Sequence, residues 1–166
     1  MDASHYNALS LICASCGLGG GCCHGARPPL TEERIKILTD NGVDPKMVEC
    51  AGYKRLKVKE DGFCVLFKDG HCSAHTIKPE TCVAGPFTFD VKGKVLEIYL
   101  KRETICPMVG YLNTNPEVYE SLFDLSVANI IKLVEDIPQS ELGEIVKIEE
   151  PDTDLVAEIR LKRGLA

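Results

Sequence analysis

From Cys13 to Cys23 this chain carries four cysteines, Cys13, Cys16, Cys22 and Cys23, and the remaining positions are one alanine, one serine, one leucine and four glycines. Thiols at that density exceed what packing calls for. Two residues between Cys13 and Cys16 let both sulfurs reach one centre, and thiolate is the preferred protein ligand of zinc and of iron–sulfur clusters. Glycine has no Cβ, so the backbone can pass close to such a centre and turn its N–H groups toward the sulfurs. The stretch reads as half of a metal site around which the remainder must fold.

The adjacent pair adds a constraint. Neighbouring side chains in an extended segment point to opposite sides, so Cys22 and Cys23 do not readily chelate one ion together. Two neighbouring centres, or one ligand and one bystander, follow from that geometry.

Nine cysteines in 166 residues are too few for a dense disulfide scaffold, and their odd number leaves one unpaired in any fully bridged scheme. The chain opens without a cationic and apolar leader, which predicts a cytoplasmic protein whose thiols stay reduced and available to metal. A formal net charge of -6 argues against nucleic acid or an anionic membrane as partner, and no apolar stretch approaches the ~20 residues of a membrane span. A protein partner is expected.

Along the chain, Ser4 can cap a first helix running toward Ser15, with Leu9, Ile12, Cys13 and Cys16 at three- and four-residue spacing. Thr31 is placed to cap a second helix that Asn41-Gly42 stops, and Asp44-Pro45 begins a third reaching about Cys50. From Tyr53 the pattern changes to short strands, with Asp61-Gly62 and Asp69-Gly70 as turns. Cys64 and Cys72 flank those turns and can face one place, whereas Cys50 reads as a buried, inert thiol. Lys78-Pro79 begins a helical turn that delivers Cys82 inward. Phe87 to Leu100 forms a hairpin about Lys92-Gly93, and Cys106-Pro107 follows in a loop. Asn115-Pro116 opens the clearest helix, to about Asp136, with Val118, Leu122, Leu125, Ala128, Asn129 and Leu133 along one face. The acidic tail alternates at Ile145 to Ile148 and Leu155 to Leu161, which suits a strand pair or a strand and a helix.

These elements predict an α+β fold: a small single domain of helices and short antiparallel hairpins wrapped around a cysteine-ligated metal site. Residues 1–136 form the cysteine-cluster domain, and 137–166 form a C-terminal extension packed on or flanking it. The candidate ligands are Cys13, Cys16, Cys22, Cys23, Cys64, Cys72, Cys82 and Cys106.

With the CxxC pair, the Cys22-Cys23 doublet, Cys64, Cys72, the Lys-Pro-x-x-Cys segment ending at Cys82, and Gly85-Pro86-Phe87 assembled, the chain resembles the YkgJ-type cysteine-cluster family over about residues 10 to 110. The resemblance implies zinc or iron binding, with no single reaction common to the family. Lys78 and Val83 stand where the family usually has arginines, and His75 where it has an aromatic residue, so no anion contact by those arginines carries over.

Between the metals, an all-thiolate set with a Cys-Pro element at Cys106-Pro107 favours an iron–sulfur cluster, of the 4Fe-4S kind, with zinc as the alternative. His24, His71 and His75 each sit near a ligand cysteine and read as neighbours of the site. No Ser/His/Asp arrangement, phosphate loop or dinucleotide fingerprint is visible. The expected roles are electron transfer, redox work or cluster delivery. The alternatives are a zinc-stabilised binding module and an enzyme with a partly open metal site.

Overall fold

The computed structural model describes residues 8, 9, 11–13, 21–150 and 152–162. Of the first helix, residues 8–9 and 11–13 are helical, with Leu9 buried in the main core and Ile12 packed against it. Its Ser4 cap, its end at Ser15 and Cys16 lie outside the described residues.

Local signals fix the next elements. Helix α1, Glu32–Asp40, starts at Thr31, whose side-chain oxygen accepts a hydrogen bond from the Arg34 N–H, and it stops at Asn41. Asp44 caps only a 3₁₀ turn, Pro45–Met47, because the chain then pairs as strand β1, Val48–Cys50, with β2, Lys54–Leu56. The expected third helix is thus cut short by strand pairing. Cys50 is exposed rather than buried, because β1 lies in a two-stranded ribbon with one side open to water. Strands β3, Phe67–Lys68, and β4, His71–Cys72, close around Asp69-Gly70, where both residues have positive φ, 49° and 80°. That is the conformation a tight two-residue hairpin needs.

Helix α2, Glu80–Ala84, follows Pro79. Strands β5, Phe87–Lys92, and β6, Val95–Lys101, form the expected hairpin, and β7, Thr153–Arg160, adds to β6 antiparallel with a register shift between Ile98 and Tyr99. The tail therefore resolves into a helix and a strand. Helix α3, Met108–Asn113, follows Cys106-Pro107 where the sequence suggests only a loop, and α4, Pro116–Asp136, and α5, Gln139–Ile145, are the remaining helices among the described residues. The buried stripe of α4 runs through Val118, Leu122, Ser126, Ile130, Leu133 and Val134, while Leu125 is 46% exposed. The expected face is rotated, because the neutral serine belongs inside and Leu125 and Ala128 do not.

Two cores result. The larger joins α4 and α5 to the inner face of the sheet, where Phe87, Val91, Leu96 and Ile98 are buried. The smaller, under the cysteine-bearing half, consists of Leu30, Leu38, Leu56, Cys64, Leu66 and Ala74. Lys54 ties them, donating from its backbone N–H (2.8 Å) and from Nζ (3.0 Å) to Glu141 on α5. Among the described residues no helix is long and apolar enough to cross a membrane.

Helix α2 is docked on α4 through Ser126, a fully buried residue whose hydroxyl lies 3.0 Å from the Ala84 carbonyl and 2.6 Å from that of Leu122. Replacing Ser126 by Ala leaves the Ala84 carbonyl buried without this donor, an expected loss of about 1–2 kcal/mol. Urea unfolding should show a lower midpoint at unchanged slope; an unmoved midpoint would mean the hydroxyl contributes nothing.

Candidate metal centre

The cysteines are brought together by pairing between distant loops. The segment after Cys22-Cys23 runs antiparallel to the Lys54–Cys64 region: Leu30 N–H donates to the Lys54 carbonyl (2.8 Å), Gly25 N–H to that of Gly62 (2.7 Å), and Cys64 N–H to that of Cys23 (2.9 Å). The last of these sets Cys64 directly against Cys23. Gly62, at φ +86°, permits this approach, since a Cβ there would lie 2.5 Å from Nε2 of His24. The β3–β4 hairpin then returns Cys72, and α2 supplies Cys82.

The charges of Cys22, Cys72 and Cys82 consequently reach Cys23, that of Cys72 reaches Cys64, and those of Cys22, Cys64 and Cys72 reach Cys82. Cys22 is held down to about 6, first by a hydrogen bond with the Cys23 thiol, with Lys101 and Lys78 assisting against the cost of burial. Cys23 is driven upward by the same hydrogen bond, then by burial and by the charges of Cys22, Cys72 and Cys82. Cys82 is pushed up to about 12, chiefly by burial and then by Cys22 and Cys64. Burial also raises Cys64, against a hydrogen bond from the Leu66 N–H to its sulfur. An amide donor on sulfur is the contact that tunes thiolate-bound metal.

Residues Gly21–Cys23 form a 3₁₀ turn rather than an extended segment, so the two side chains stand about 120° apart instead of on opposite faces. Neighbours on a turn can therefore serve the same place.

Cys13 is exposed, and Cys106 is partly buried against the larger core. Cys16 lies outside the described residues. Among the described residues no group of three or more His, Cys, Asp or Glu side chains is closed into a metal-holding set. Five sulfurs are gathered without being drawn onto one point.

The histidines stand mostly apart. His24 packs edge-on against Phe63 at 5.0 Å, and Phe63 stacks on Phe67 at 4.7 Å. His71 places Nδ1 3.1 Å from the Asp69 carbonyl. His75 is lowered from its ordinary range by burial and then by Lys78 and His71. Of the basic run from Lys54 to Lys59, Lys54 pairs with Glu32 and Glu141, Arg55 with Glu49 and Lys59 with Asp61, so much of it is engaged within the chain.

A family model described as "CxxCxxCC: Putative zinc- or iron-chelating domain" matches residues 12–109, more than half of the chain. It spans every gathered cysteine together with Cys13, Cys16 and Cys106. Where the family's title spells two residues before the doublet, this chain has five, Gly17 to Gly21, four of them glycine. No curated protein and no solved structure matches.

Proposed function

The chain belongs to the CxxCxxCC family of zinc- or iron-chelating domains, and on that premise we propose that it carries a cysteine-ligated iron–sulfur cluster used for electron transfer or cluster delivery. The observation that supports this reading is the all-sulfur character of the gathered set: Cys22, Cys23, Cys64, Cys72 and Cys82 influence one another, while the rings of His24 and His71 are engaged with Phe63 and Asp69. Soft thiolates without imidazole suit iron–sulfur ligation, with Cys13, Cys16 and Cys106 completing the donors. When bound, the cluster would supply one-electron redox chemistry. The chain's own residues would set its environment, the Leu66 N–H through its bond to the Cys64 sulfur and Lys78 and Lys101 by offsetting thiolate charge. The reading places the protein in the cytoplasm, where thiols remain reduced, and gives it a protein partner as electron donor or acceptor.

The competing reading is a zinc-stabilised binding module, which the same thiolates would also suit. Anaerobic purification with iron, zinc and acid-labile sulfide analysis separates the two. Brown protein with iron and sulfide in equal amounts is expected; colourless protein with zinc and no sulfide would overturn the cluster.

A further inference from the structure

Cys82 depends on α2, and the start of α2 has no side-chain cap. Pro79, at its N-cap, offers no N–H for a neighbouring group to hold. What grips this segment comes from 46 residues earlier in the chain. Arg34 on α1 donates from Nε (3.0 Å) and Nη2 (2.9 Å) to Oε1 of Glu80, and from Nη1 (3.0 Å) to the Ile77 carbonyl. One planar guanidinium thus fixes two points, five and two residues before Cys82.

The environment is dry: the Glu80 side chain is 1% exposed and that of Arg34 14%. A buried ion pair is weak evidence for stability, because desolvation offsets much of the attraction. This one also leaves the second carboxylate oxygen, Oε2 of Glu80, buried without a hydrogen-bond partner among the described residues. Both guanidinium donors to the carboxylate meet Oε1, an arrangement that holds position at the expense of full hydrogen bonding. At the far end of α2, Ser126 binds the Ala84 carbonyl, so the helix is gripped on both sides of Cys82.

We propose that Arg34 and Glu80 are positioning residues for Cys82, fixing α2 and with it the direction of the Cys82 side chain before any metal arrives. The metal arm of this proposal rests on the reading of Cys82 as a ligand; the placement of the sulfur does not.

Two variants test it. Arg34→Lys keeps the charge and loses the fork. The double replacement Arg34→Met with Glu80→Met exchanges the pair for apolar side chains of comparable length, which preserves the fold where removal of one partner would leave a bare buried charge. In metal-free protein, alkylation of Cys82 is measured by mass spectrometry against exposed Cys50, with Cys64 as a second reference. In loaded protein, zinc affinity is measured by chelator competition. Folded variants should label Cys82 several-fold faster with Cys64 unchanged, and should bind zinc about 10–100-fold more weakly, the usual effect of losing a group that orients a ligand. Folded variants with wild-type Cys82 labelling and wild-type affinity overturn the proposal. A wild-type chain that takes up neither zinc nor iron would overturn the metal reading instead, and the labelling ratio alone would then decide the positioning role.

Discussion

Removal of bound metal is expected to loosen the two-stranded ribbons β1–β2 and β3–β4 of the cysteine-bearing half, while α1 and α2, pinned to each other by Arg34 and Glu80, and the half built on α4 and the β5–β6–β7 sheet stay folded. The asymmetry follows from the two cores. The larger is closed by a 21-residue helix and a three-stranded sheet, with Leu96, Ile98, Ile130, Leu133 and Leu142 wholly buried. The smaller has six buried members, and its sheets are pairs of strands two or three residues long. Two-stranded ribbons of that length are marginal on their own, and a segment of this size ordinarily needs a metal or disulfides to hold. A structural metal provides that energy directly, with apparent values of about 10–16 kcal/mol in small zinc domains at neutral pH. That is comparable to what Leu30, Leu38, Leu56 and Leu66 contribute together at about 1.5–3 kcal/mol each, a gain that chain entropy then offsets. Hydrogen exchange should therefore show amides of Val48–Leu56 and Phe67–Cys72 losing protection on chelation, with those of Pro116–Asp136 nearly unchanged. Uniform loss across both halves would mean that the cores are one cooperative unit. Unchanged protection after verified metal removal would mean that the metal does not support the fold.

Much of this architecture is legible in sequence where the signal is local. Thr31 and Asn41-Gly42 bracket α1 because capping is decided within a few residues, and Asp69-Gly70 marks its hairpin because positive φ restricts which residues fit. The Phe87–Leu100 hairpin and the ends of α4 are readable for similar reasons. Errors arise where a distant partner decides. Asp44-Pro45 carries a sound helix start, but the pairing of Val48–Cys50 with Lys54–Leu56 ends it at Met47. Cys50 looks apolar in composition, yet its strand lies on an open ribbon. On α4 an apolar tally selects Leu125 and Ala128, whereas the hydroxyl of Ser126 earns burial by bonding to Ala84, 42 residues away. For the candidate centre, the cysteine pattern stands out in the sequence, but the grip of Arg34 on Glu80 does not. A charged residue in the first turn of α1 looks like an ordinary solvated one until α2 is laid beside it.

Replacing Cys22 or Cys23 singly by serine is expected to remove the same metal, and replacing both should remove no more. If the segment were extended, the two thiols would point apart and serve different centres, so their losses would add. The 3₁₀ turn Gly21–Cys23 removes that premise, because side chains adjacent on such a turn stand about 120° apart rather than opposed. Cys23 also feels the charges of Cys72 and Cys82, and Cys82 feels that of Cys22, so both members of the doublet face the same later cysteines. Serine is nearly isosteric but is a far poorer ligand for a soft metal, so each substitution tests ligation with little change in volume. A thiolate-bound centre that loses one donor binds substantially more weakly because the remaining ligands must be kept deprotonated and ordered for fewer bonds. Non-additivity is then the signature, as for residues that act on one shared group. Metal per chain, measured for wild type, the two single variants and the double, decides between the arrangements. Equal losses in all three variants fit a shared centre. A double variant that loses the sum of two partial losses would return the doublet to two centres, and an inert Cys22→Ser or Cys23→Ser would reduce that residue to a bystander hydrogen-bonded to its neighbour.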